Sequence, residues 1–269
     1  MEKTVSFTKM VGAGNDFIIV DNRSGILKGD LKGLARRLCD RKHAIGADGL
    51  LLLEKSRTAD IRMRIFNPDG SEADMCGNGV RCLAKFAAEK KIKKGKLTVE
   101  TPAGLIEALI RGNVVKAKIT DPADLRLDLK IPLGGRMLDG NFIDTGVPHA
   151  VLVVDSVDKV DVYGTGRAIR CHKLFAPKGA NVNFVSIAPG GIEVRTYERG
   201  VENETLSCGT GSTASALVAA ALRGLESPVK VRTHGGEELK VYFSRNGRSF
   251  VDVSLEGPVQ KSFEGRVNL

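Results

Sequence analysis

Tryptophan is absent from this chain, and aromatic residues of all kinds make up only 5% of its 269 positions. Proteins that bind single-stranded nucleic acids usually stack bases on aromatic rings, so this scarcity counts against that class. No apolar run approaches the ~18 residues that a membrane-spanning helix needs, and the first residues, Met-Glu-Lys-Thr-Val-Ser-Phe, lack the apolar centre of a signal peptide. The sequence therefore predicts a cytoplasmic protein with no membrane partner.

The numbers of cysteine and histidine residues count against a disulfide scaffold and against a zinc site. Five cysteines are an odd number in a long chain, unlike the paired cysteines of a small secreted disulfide scaffold. Only four histidines are present and no Cys-x-x-Cys pair exists, so a zinc site is disfavoured and no metal is expected.

Charge is unbalanced, with 41 Lys and Arg against 32 Asp and Glu and a net charge of +9. The excess fits solvated lysine faces, and it also fits attraction to an anionic partner such as nucleic acid. No recognised nucleic-acid motif is present, so we favour the first interpretation and expect no nucleic-acid partner. A hydrophobic content of 42% is enough for a core, and the length suits two domains.

An internal repeat is visible in the chain. Three motif pairs share one offset of 132 residues: CGNG from Cys76 and CGTG from Cys208, Thr101 in VETPAG and Thr233 in VRTHGG, and Gly14 in GNDFIIV and Gly146 in GVPHAVL. A shared offset indicates duplication of one structural unit. The sequence predicts two halves, residues 1–121 and 122–257, with a tail of about 258–269 that packs on the first half.

Local patterns predict a mixed α/β fold. Helical spacing of apolar residues follows both Cys-Gly-x-Gly motifs, and Gly95 and Gly224 are candidate helix ends. A further helix is expected near residues 31–38, with Asp30 as its N-cap. Apolar runs predict strands at Phe17–Val20, Leu50–Leu53, Ile61–Phe66, Leu97–Thr101, Val151–Val154, Asn183–Ile187 and Val229–Arg232.

Each half thus places a cysteine where a loop enters a helix. The unpaired N–H groups of a helix start attract anions, glycines let a ligand approach the backbone, and the dipole stabilises a thiolate. One such cysteine fits a nucleophile or an anion pocket. Two of them in related halves fit inversion of a carbon next to a carboxylate, in which one thiolate removes a proton and one thiol returns it. The plainer alternative is that both cysteines are small buried residues, and this is our expectation for Cys39, Cys82 and Cys171.

The chain resembles the diaminopimelate epimerases over nearly its whole length. The most specific segments are FNPDGSEADMCGNGVRC at 66–82 and YERGVENETLSCGTG at 197–211, with FTKMVGAGNDF at 7–17. The resemblance implies two pseudo-symmetric α/β domains, each with a mixed sheet wrapped round a central helix. It implies epimerisation of LL-2,6-diaminopimelate to the meso form in lysine biosynthesis, with no pyridoxal phosphate or other cofactor, and a homodimer.

The resemblance also implies roles for individual residues. Cys76 and Cys208 match the catalytic thiols, with Cys208 as proton acceptor from the LL isomer and Cys76 as donor. His149 and Glu198 match the residues that tune the thiols. The positions that match substrate contacts are Asn15, Asn67, Gly77, Asn78, Asn181, Glu198, Arg199, Gly209 and Thr210.

Two alternatives stay open at this point. Another amino-acid racemase could share the fold, although proline-racemase-like enzymes typically carry Met-Cys-Gly-His where this chain has Met75-Cys-Gly-Asn78. A histidine-type racemase is harder to separate from the leading interpretation. A basic nucleic-acid-binding module is the alternative from a different class.

Overall fold

The structure is a computed structural model that describes residues 4–269. The chain divides into two compact units, and each is described by itself. Unit 1 contains the described residues up to Ala117 together with Gly257–Leu269, and unit 2 contains Lys118–Glu256.

Unit 1 is a mixed sheet with two helices. Its elements in chain order are β1 (Thr4–Gly12), β2 (Asn15–Asp21), α1 (Leu31–Cys39), β3 (Gly49–Glu54), β4 (Ile61–Phe66), β5 (Glu72–Ala73), α2 (Gly77–Glu89), β6 (Lys96–Thr101), β7 (Gly104–Arg111) and β8 (Val114–Lys118). Helix α2 is central, because it packs against β1, β2, β3, β4, β6 and β7. The apolar faces of the strands meet α2 in one core that includes Phe17, Leu51 and Ile65.

Unit 2 repeats this arrangement. Its elements are β9 (Ala123–Leu133), β10 (Arg136–Asp144), β11 (Pro148–Val153), α3 (Val162–Arg170), β12 (Asn181–Ala188), β13 (Gly191–Glu198), β14 (Asn203–Thr205), α4 (Gly209–Arg223), β15 (Val229–Thr233), β16 (Glu238–Asn246) and β17 (Ser249–Asn268), with short 3-10 helices at Val157–Lys159 and Lys173–Phe175. Helix α4 packs against β10, β11, β12, β13, β15 and β16. The end of β17 returns to unit 1, where it pairs antiparallel with β1.

The offset of 132 residues holds for the first strand, the first parallel strand pair and the start of the central helix of each unit, whereas α1 and α3 are offset by 131. Where β4 and β13 pair with their neighbours, the offset is also 131, so Ile65 corresponds to Thr196. The offset of 132 carries both ends of β1 onto those of β10, and the first residue of α2 onto the first residue of α4. The parallel pair β2–β3 aligns Phe17 with Gly49, and the parallel pair β11–β12 aligns His149 with Asn181, which are the same positions plus 132. Equivalent positions of the two units can therefore be compared residue by residue.

Most of the predicted elements are present, and the mixed α/β fold is confirmed. Asp30 caps α1 by accepting the Gly33 N–H at 2.8 Å, and Gly224 ends α4 in the left-handed conformation. The prediction that Gly95 ends a helix is wrong, because α2 ends at Glu89 and Lys91 already has a φ of 58°. Within residues 4–269, no helix is long and apolar enough to cross a membrane.

Candidate active site

Cys76 is the N-cap of α2. Its backbone is extended, with φ of −146° and ψ of 115°, so the chain enters the helix from a strand-like conformation. The Cys76 carbonyl accepts the Val80 N–H, and its Sγ accepts the Gly79 N–H at 3.4 Å. The sulfur therefore takes the place of the oxygen of an ordinary N-cap side chain, at the positive end of the helix dipole.

Cys208 has the same position on α4. Its φ and ψ are −123° and 115°, its carbonyl accepts the Ser212 N–H, and its Sγ accepts the Gly211 N–H at 3.4 Å. The Thr210 hydroxyl lies 3.5 Å from the sulfur. Neither α2 nor α4 has an acidic residue in its first turn, so the N-terminal charge of each helix is not cancelled locally.

The glycines after each cysteine have different reasons to be glycine. A Cβ on Gly77 would meet no atom of the described residues within 4 Å, so the space beside this N–H is open. A Cβ on Gly79 would lie 3.3 Å from a methyl group of Leu51. A Cβ on Gly211 would collide with the side-chain oxygen of Asn183. Gly77 therefore leaves room for a ligand, and Gly79 and Gly211 allow close packing of each helix on its sheet.

A chain of polar side chains surrounds the start of α2. The Asn78 amide donates to Asn15 Oδ1 at 2.7 Å, and Asn78 Oδ1 accepts from the Arg81 guanidinium at 2.8 Å. Asn15 in turn donates to Asp48 at 3.1 Å. The structure thus brings together two predicted substrate-contact residues, Asn15 and Asn78, and adds Arg81, a fully buried cation.

Behind Asn15, an ionic cluster holds the loop before β3. Asp16 pairs with Lys9 at 2.8 Å and with Arg41 at 2.6 Å, and Arg41 also contacts Asp48 at 2.7 Å. Burial raises the pKa of the Asp16 carboxyl, but hydrogen bonds from Arg41 and Lys9 outweigh it and bring the pKa to about 2. Asp16 is therefore charged at neutral pH and fixes the backbone next to Asn15.

His149 lies in the interior of unit 2 with 0% of its surface exposed. Burial, with a smaller contribution from the Arg199 charge, lowers the pKa of this imidazole to about 3, so the ring is neutral at pH 7. Its Nδ1 contacts the Asn183 amide nitrogen at 3.1 Å. Its Nε2 is buried and has no hydrogen-bond partner among the described residues.

Glu198, Asn181 and Arg199 lie at the same end of unit 2. Glu198 ends β13 and accepts a hydrogen bond from the Thr205 hydroxyl at 3.0 Å, which orients the carboxylate. Asn181 Oδ1 accepts the backbone N–H of Arg199 at 2.7 Å, and the Arg199 side chain donates to the Lys178 carbonyl at 3.0 Å. Asn181 and Arg199 are therefore in contact, as a joint binding role requires.

Asn67 has local partners. It follows β4 in the turn before β5, where its amide donates to the Ser71 hydroxyl at 2.9 Å and its N–H donates to the Ser71 carbonyl at 2.8 Å. The residue is half-buried, and its amide is held by the turn.

The remaining cysteines fall into two classes. Cys39 and Cys82 are buried, as expected, and burial raises the pKa of the Cys39 thiol to about 11. The expectation that Cys171 is a buried residue is wrong, because it is exposed at the C-terminal end of α3. Across residues 4–269, no three His, Cys, Asp or Glu side chains come together in a way that could hold a metal ion.

The sequence interpretation missed several residues that support the site. Asn183, Thr196 and Arg81 are buried polar side chains beside the two helix starts, and Thr205 orients Glu198. One signal was available for Asn183, since a polar residue in the apolar strand NVNFVSI is unusual for a buried position. The ion cluster around Asp16 could not be found this way, because its members are far apart in the chain.

The fold is shared with several solved structures. A phenazine biosynthesis protein of the PhzF family from Bacillus anthracis matches with a TM-score of 0.78 at 18% identity, covering 99% of this chain and 100% of its own. A hydroxyproline epimerase from Agrobacterium vitis matches with a TM-score of 0.71 at 18% identity, covering 99% of this chain and 93% of its own. At these identities the likeness establishes the fold alone.

Sequence comparison is more specific. The family model described as diaminopimelate epimerase matches residues 7–122 and 141–261. The diaminopimelate epimerase of Aquifex aeolicus is 44% identical over 98% of this chain and 98% of its own, and that of Methanocella arvoryzae is 42% identical over 98% and 97%. The resemblance drawn from the motifs is confirmed, and the chain belongs to the diaminopimelate epimerase family.

Proposed function

We propose that this protein is an isomerase that converts LL-2,6-diaminopimelate to meso-diaminopimelate in lysine biosynthesis. The observation that carries the proposal is the pair of cysteines at equivalent helix starts in a chain of this family. The relatives at 44% and 42% identity are both named diaminopimelate epimerase, and they match this chain almost end to end.

The proposed chemistry needs two thiols and no pyridoxal phosphate or other cofactor. A thiolate at Cys208 takes the proton from the α-carbon of the LL isomer, so that an S–H bond forms as the C–H bond breaks. The electron pair stays on the substrate as a carbanion delocalised into its carboxylate. The Cys76 thiol then donates its proton to the other face and becomes the thiolate, which inverts the carbon and leaves the two sulfurs with exchanged protonation states.

The carbanion needs electrostatic support, and the helix starts can supply it. The proposed donors to the reacting carboxylate are the N–H groups of Gly77 and Asn78 on α2 and of Gly209 and Thr210 on α4. Such groups have no partner within their own helix, and the dipole favours an anion there. Support comes from the open space beside Gly77 and from the lack of acidic residues in both first turns.

Two further residues are proposed to tune the thiols. Glu198 is held by Thr205, and a fixed carboxylate can accept a proton or steer one. His149 is neutral and buried, so it can act by hydrogen bonding without introducing a charge.

Recognition of the distal end of the substrate is assigned to Asn67, Asn181 and Arg199, with Asn15 as a further substrate contact. The guanidinium of Arg199 suits a carboxylate, and the amides can both donate and accept at an amino-carboxylate group. The contacts between Asn181 and Arg199 and between Asn15 and Asn78 support the assignment, because each preorganises a donor.

We further propose that the two units are domains that arose by duplication, residues 1–121 with the tail 258–269 and residues 122–257. The bounds of β1 and β10 and the starts of α2 and α4, which match at an offset of 132, support this. The family resemblance supports a homodimer in the cytoplasm, with a small-molecule substrate and neither nucleic acid nor membrane as a partner. Light scattering of the purified chain tests the dimer, and a monomer would contradict it.

Exchange of the substrate's α-hydrogen in D2O tests the function. The reduced enzyme is incubated with LL-diaminopimelate, and proline, histidine and lysine serve as controls, with exchange and meso product followed by proton NMR. We expect exchange and a meso product from diaminopimelate alone. Absence of exchange on diaminopimelate would overturn the proposal, and exchange on histidine or proline instead would identify a racemase of another amino acid.

A further inference from the structure

Three buried polar side chains form a hydrogen-bonded chain across neighbouring strands of unit 2. His149 on β11 contacts Asn183 on β12 at 3.1 Å, and Asn183 accepts from the Thr196 hydroxyl on β13 at 2.9 Å. None of the three is more than 3% exposed. Buried polar groups cost free energy unless they are paired, so such a chain is an unusual feature of a core.

The orientation of the Asn183 amide follows from its other contact. The amide nitrogen donates to the Ala150 carbonyl at 3.0 Å, and a carbonyl oxygen can only accept. Turning the amide over would place two acceptors, the amide oxygen and the Ala150 carbonyl, against each other. The amide nitrogen therefore faces His149, and Nδ1 of the imidazole must be the acceptor.

A neutral imidazole carries one proton, so an accepting Nδ1 places that proton on Nε2. Nε2 is buried and lacks a hydrogen-bond partner among the described residues. A buried N–H without a partner is costly, and such groups are kept where a ligand or reacting atom takes up the bond. In this tautomer Nε2 can donate a hydrogen bond, but it cannot accept a proton.

The other unit shows that the fold does not need this polar chain. The positions equivalent to His149 and Asn183 are Phe17 and Leu51, and Ile65 pairs with Leu51 across the strands as Thr196 pairs with Asn183. These three residues belong to one apolar core against α2. The same strand arrangement thus packs with apolar side chains at these positions in unit 1. We therefore relate the polar side chains in unit 2 to the candidate active site and not to the stability of the fold.

Asn183 also contacts the helix that carries Cys208. Its Oδ1 lies so close to Gly211 that a Cβ there would collide with it, and the Gly211 N–H is the group that bonds Cys208 Sγ. The residue that orients His149 therefore also lies against the turn that holds the thiol.

We propose that Asn183, braced by Thr196, is a positioning residue that holds His149 as the Nε2–H tautomer. His149 then serves as a neutral hydrogen-bond donor to an anion of the reaction, and does not act as a base toward a thiol. The proposal rests on the proposed function, which supplies the anion as a thiolate or a substrate carboxylate.

Nitrogen NMR of protein labelled with 15N-histidine tests the tautomer directly. The four histidines give few signals, and His149→Gln identifies those of His149. We expect a protonated Nε2 and an unprotonated Nδ1 in the wild-type protein. Asn183→Asp keeps the shape, and its ionised carboxylate presents only acceptors, so it should move the proton of His149 to Nδ1. A wild-type ring protonated on Nδ1, or shifts that Asn183→Asp leaves unchanged, would overturn the proposal.

Activity supplies the second measurement. The hydrogen-bond partners of metal-ligating histidines are worth about 10- to 100-fold in activity, and we expect Asn183→Asp to lower the rate of α-hydrogen exchange on diaminopimelate by a factor of the same order. Thr196→Val should give a smaller loss, and the conservative Thr196→Ser should restore both the rate and the nitrogen shifts. Unchanged rates and shifts in Thr196→Val would contradict the bracing role.

Asn141→Asp is the matched control. Asn141 is also a buried amide of unit 2, and it donates to the Val151 carbonyl at 3.1 Å, outside the chain to His149. The Asn141→Asp variant should lower the stability of the protein without changing the nitrogen chemical shifts of His149. If the wild-type protein shows the expected tautomer but no exchange on diaminopimelate, the proposed function fails and the tautomer assignment stands. If the Asn183 and Thr196 variants exchange the α-hydrogen of diaminopimelate at the wild-type rate, the positioning role fails and the proposed function stands.

Discussion

The helix starts at Cys76 and Cys208 share a backbone but differ in the side chains around them. Both cysteines have a ψ of 115°, and both sulfurs accept the N–H three residues later at 3.4 Å. The polar groups, however, occupy complementary positions. Unit 1 has Asn15, Asn78 and Arg81 where unit 2 has Val147, Thr210 and Thr213, and unit 2 has His149 and Asn183 where unit 1 has Phe17 and Leu51.

This difference separates what the fold requires from what the chemistry requires. The cap, the close glycine and the central helix occur in both units, so they belong to the scaffold. The polar chains each occur once, so no demand of the scaffold explains them. Unequal surroundings favour one sulfur as the thiolate and the other as the thiol before the substrate reacts.

Removing either sulfur should give the largest effect. General acid–base groups contribute about 10²- to 10⁴-fold to a rate, and we expect Cys76→Ala and Cys208→Ala each to lose that much or more of the turnover of LL-diaminopimelate. The measurement is the formation of the meso isomer followed by NMR, with Cys171→Ala as a control because Cys171 is exposed. Near-normal turnover in either variant would show that the two sites are not partners.

The buried histidine of unit 2 should make stability depend on pH. The variant His149→Phe tests this, because phenylalanine is the residue at the equivalent position of unit 1, Phe17. An unfolded histidine binds its proton near pH 6.5, whereas the folded His149 has a pKa of about 3 because of its burial and the Arg199 charge. Between these values the unfolded state holds the extra proton, so stability falls as pH falls. Relative to the variant, the wild-type protein should lose about 1.4 kcal/mol per pH unit in this window.

Urea unfolding at several pH values measures this difference. Carboxylates titrate in both proteins and largely cancel in the comparison. Equal pH dependence in the two proteins would mean that His149 is not held neutral. A direct titration of the wild-type imidazole by NMR gives the same answer if His149→Phe does not fold.

The repeat explains why so much could be predicted from the sequence. The Cys-Gly-x-Gly motifs and the apolar strands beside them are local signals, and their common offset placed both thiols and both central helices. Strands β9 and β10 were not predicted. The residues of β10 show little apolar periodicity, whereas ADLRLDLKIPL in β9 alternates apolar and polar residues, a strand signal that the sequence interpretation missed. The tautomer of His149 could not be predicted, because Asn183 and Thr196 are brought to it only by strand pairing.

The glycines after the thiols should differ in their tolerance of a methyl group. In Gly211→Ala the Cβ collides with Asn183, and overpacking of this kind costs about 1–3 kcal/mol. In Gly79→Ala the nearest atom is a flexible Leu51 methyl at 3.3 Å, and alanine favours the helix, so the change should stay within about 1 kcal/mol. Chemical denaturation measures both values. Shortening Asn183 to alanine should relieve Gly211→Ala, and an equal cost at both glycines would show that Asn183 is not the obstacle.

The smallest effects should be equal in the two units, because they concern the scaffold alone. Asp30 caps α1 by accepting the Gly33 N–H at 2.8 Å, and Asp161 caps α3 by accepting the Gly164 N–H at 2.9 Å. Each change to alanine should cost about 1 kcal/mol of unfolding free energy, and turnover should be unchanged in both variants. The two alanine variants could instead differ in their cost in unfolding free energy, or only one of them could lose turnover. Either result would mean that the two units differ in more than the side chains around the two thiols. Equal costs would restrict the asymmetry to the polar chains beside the two thiols.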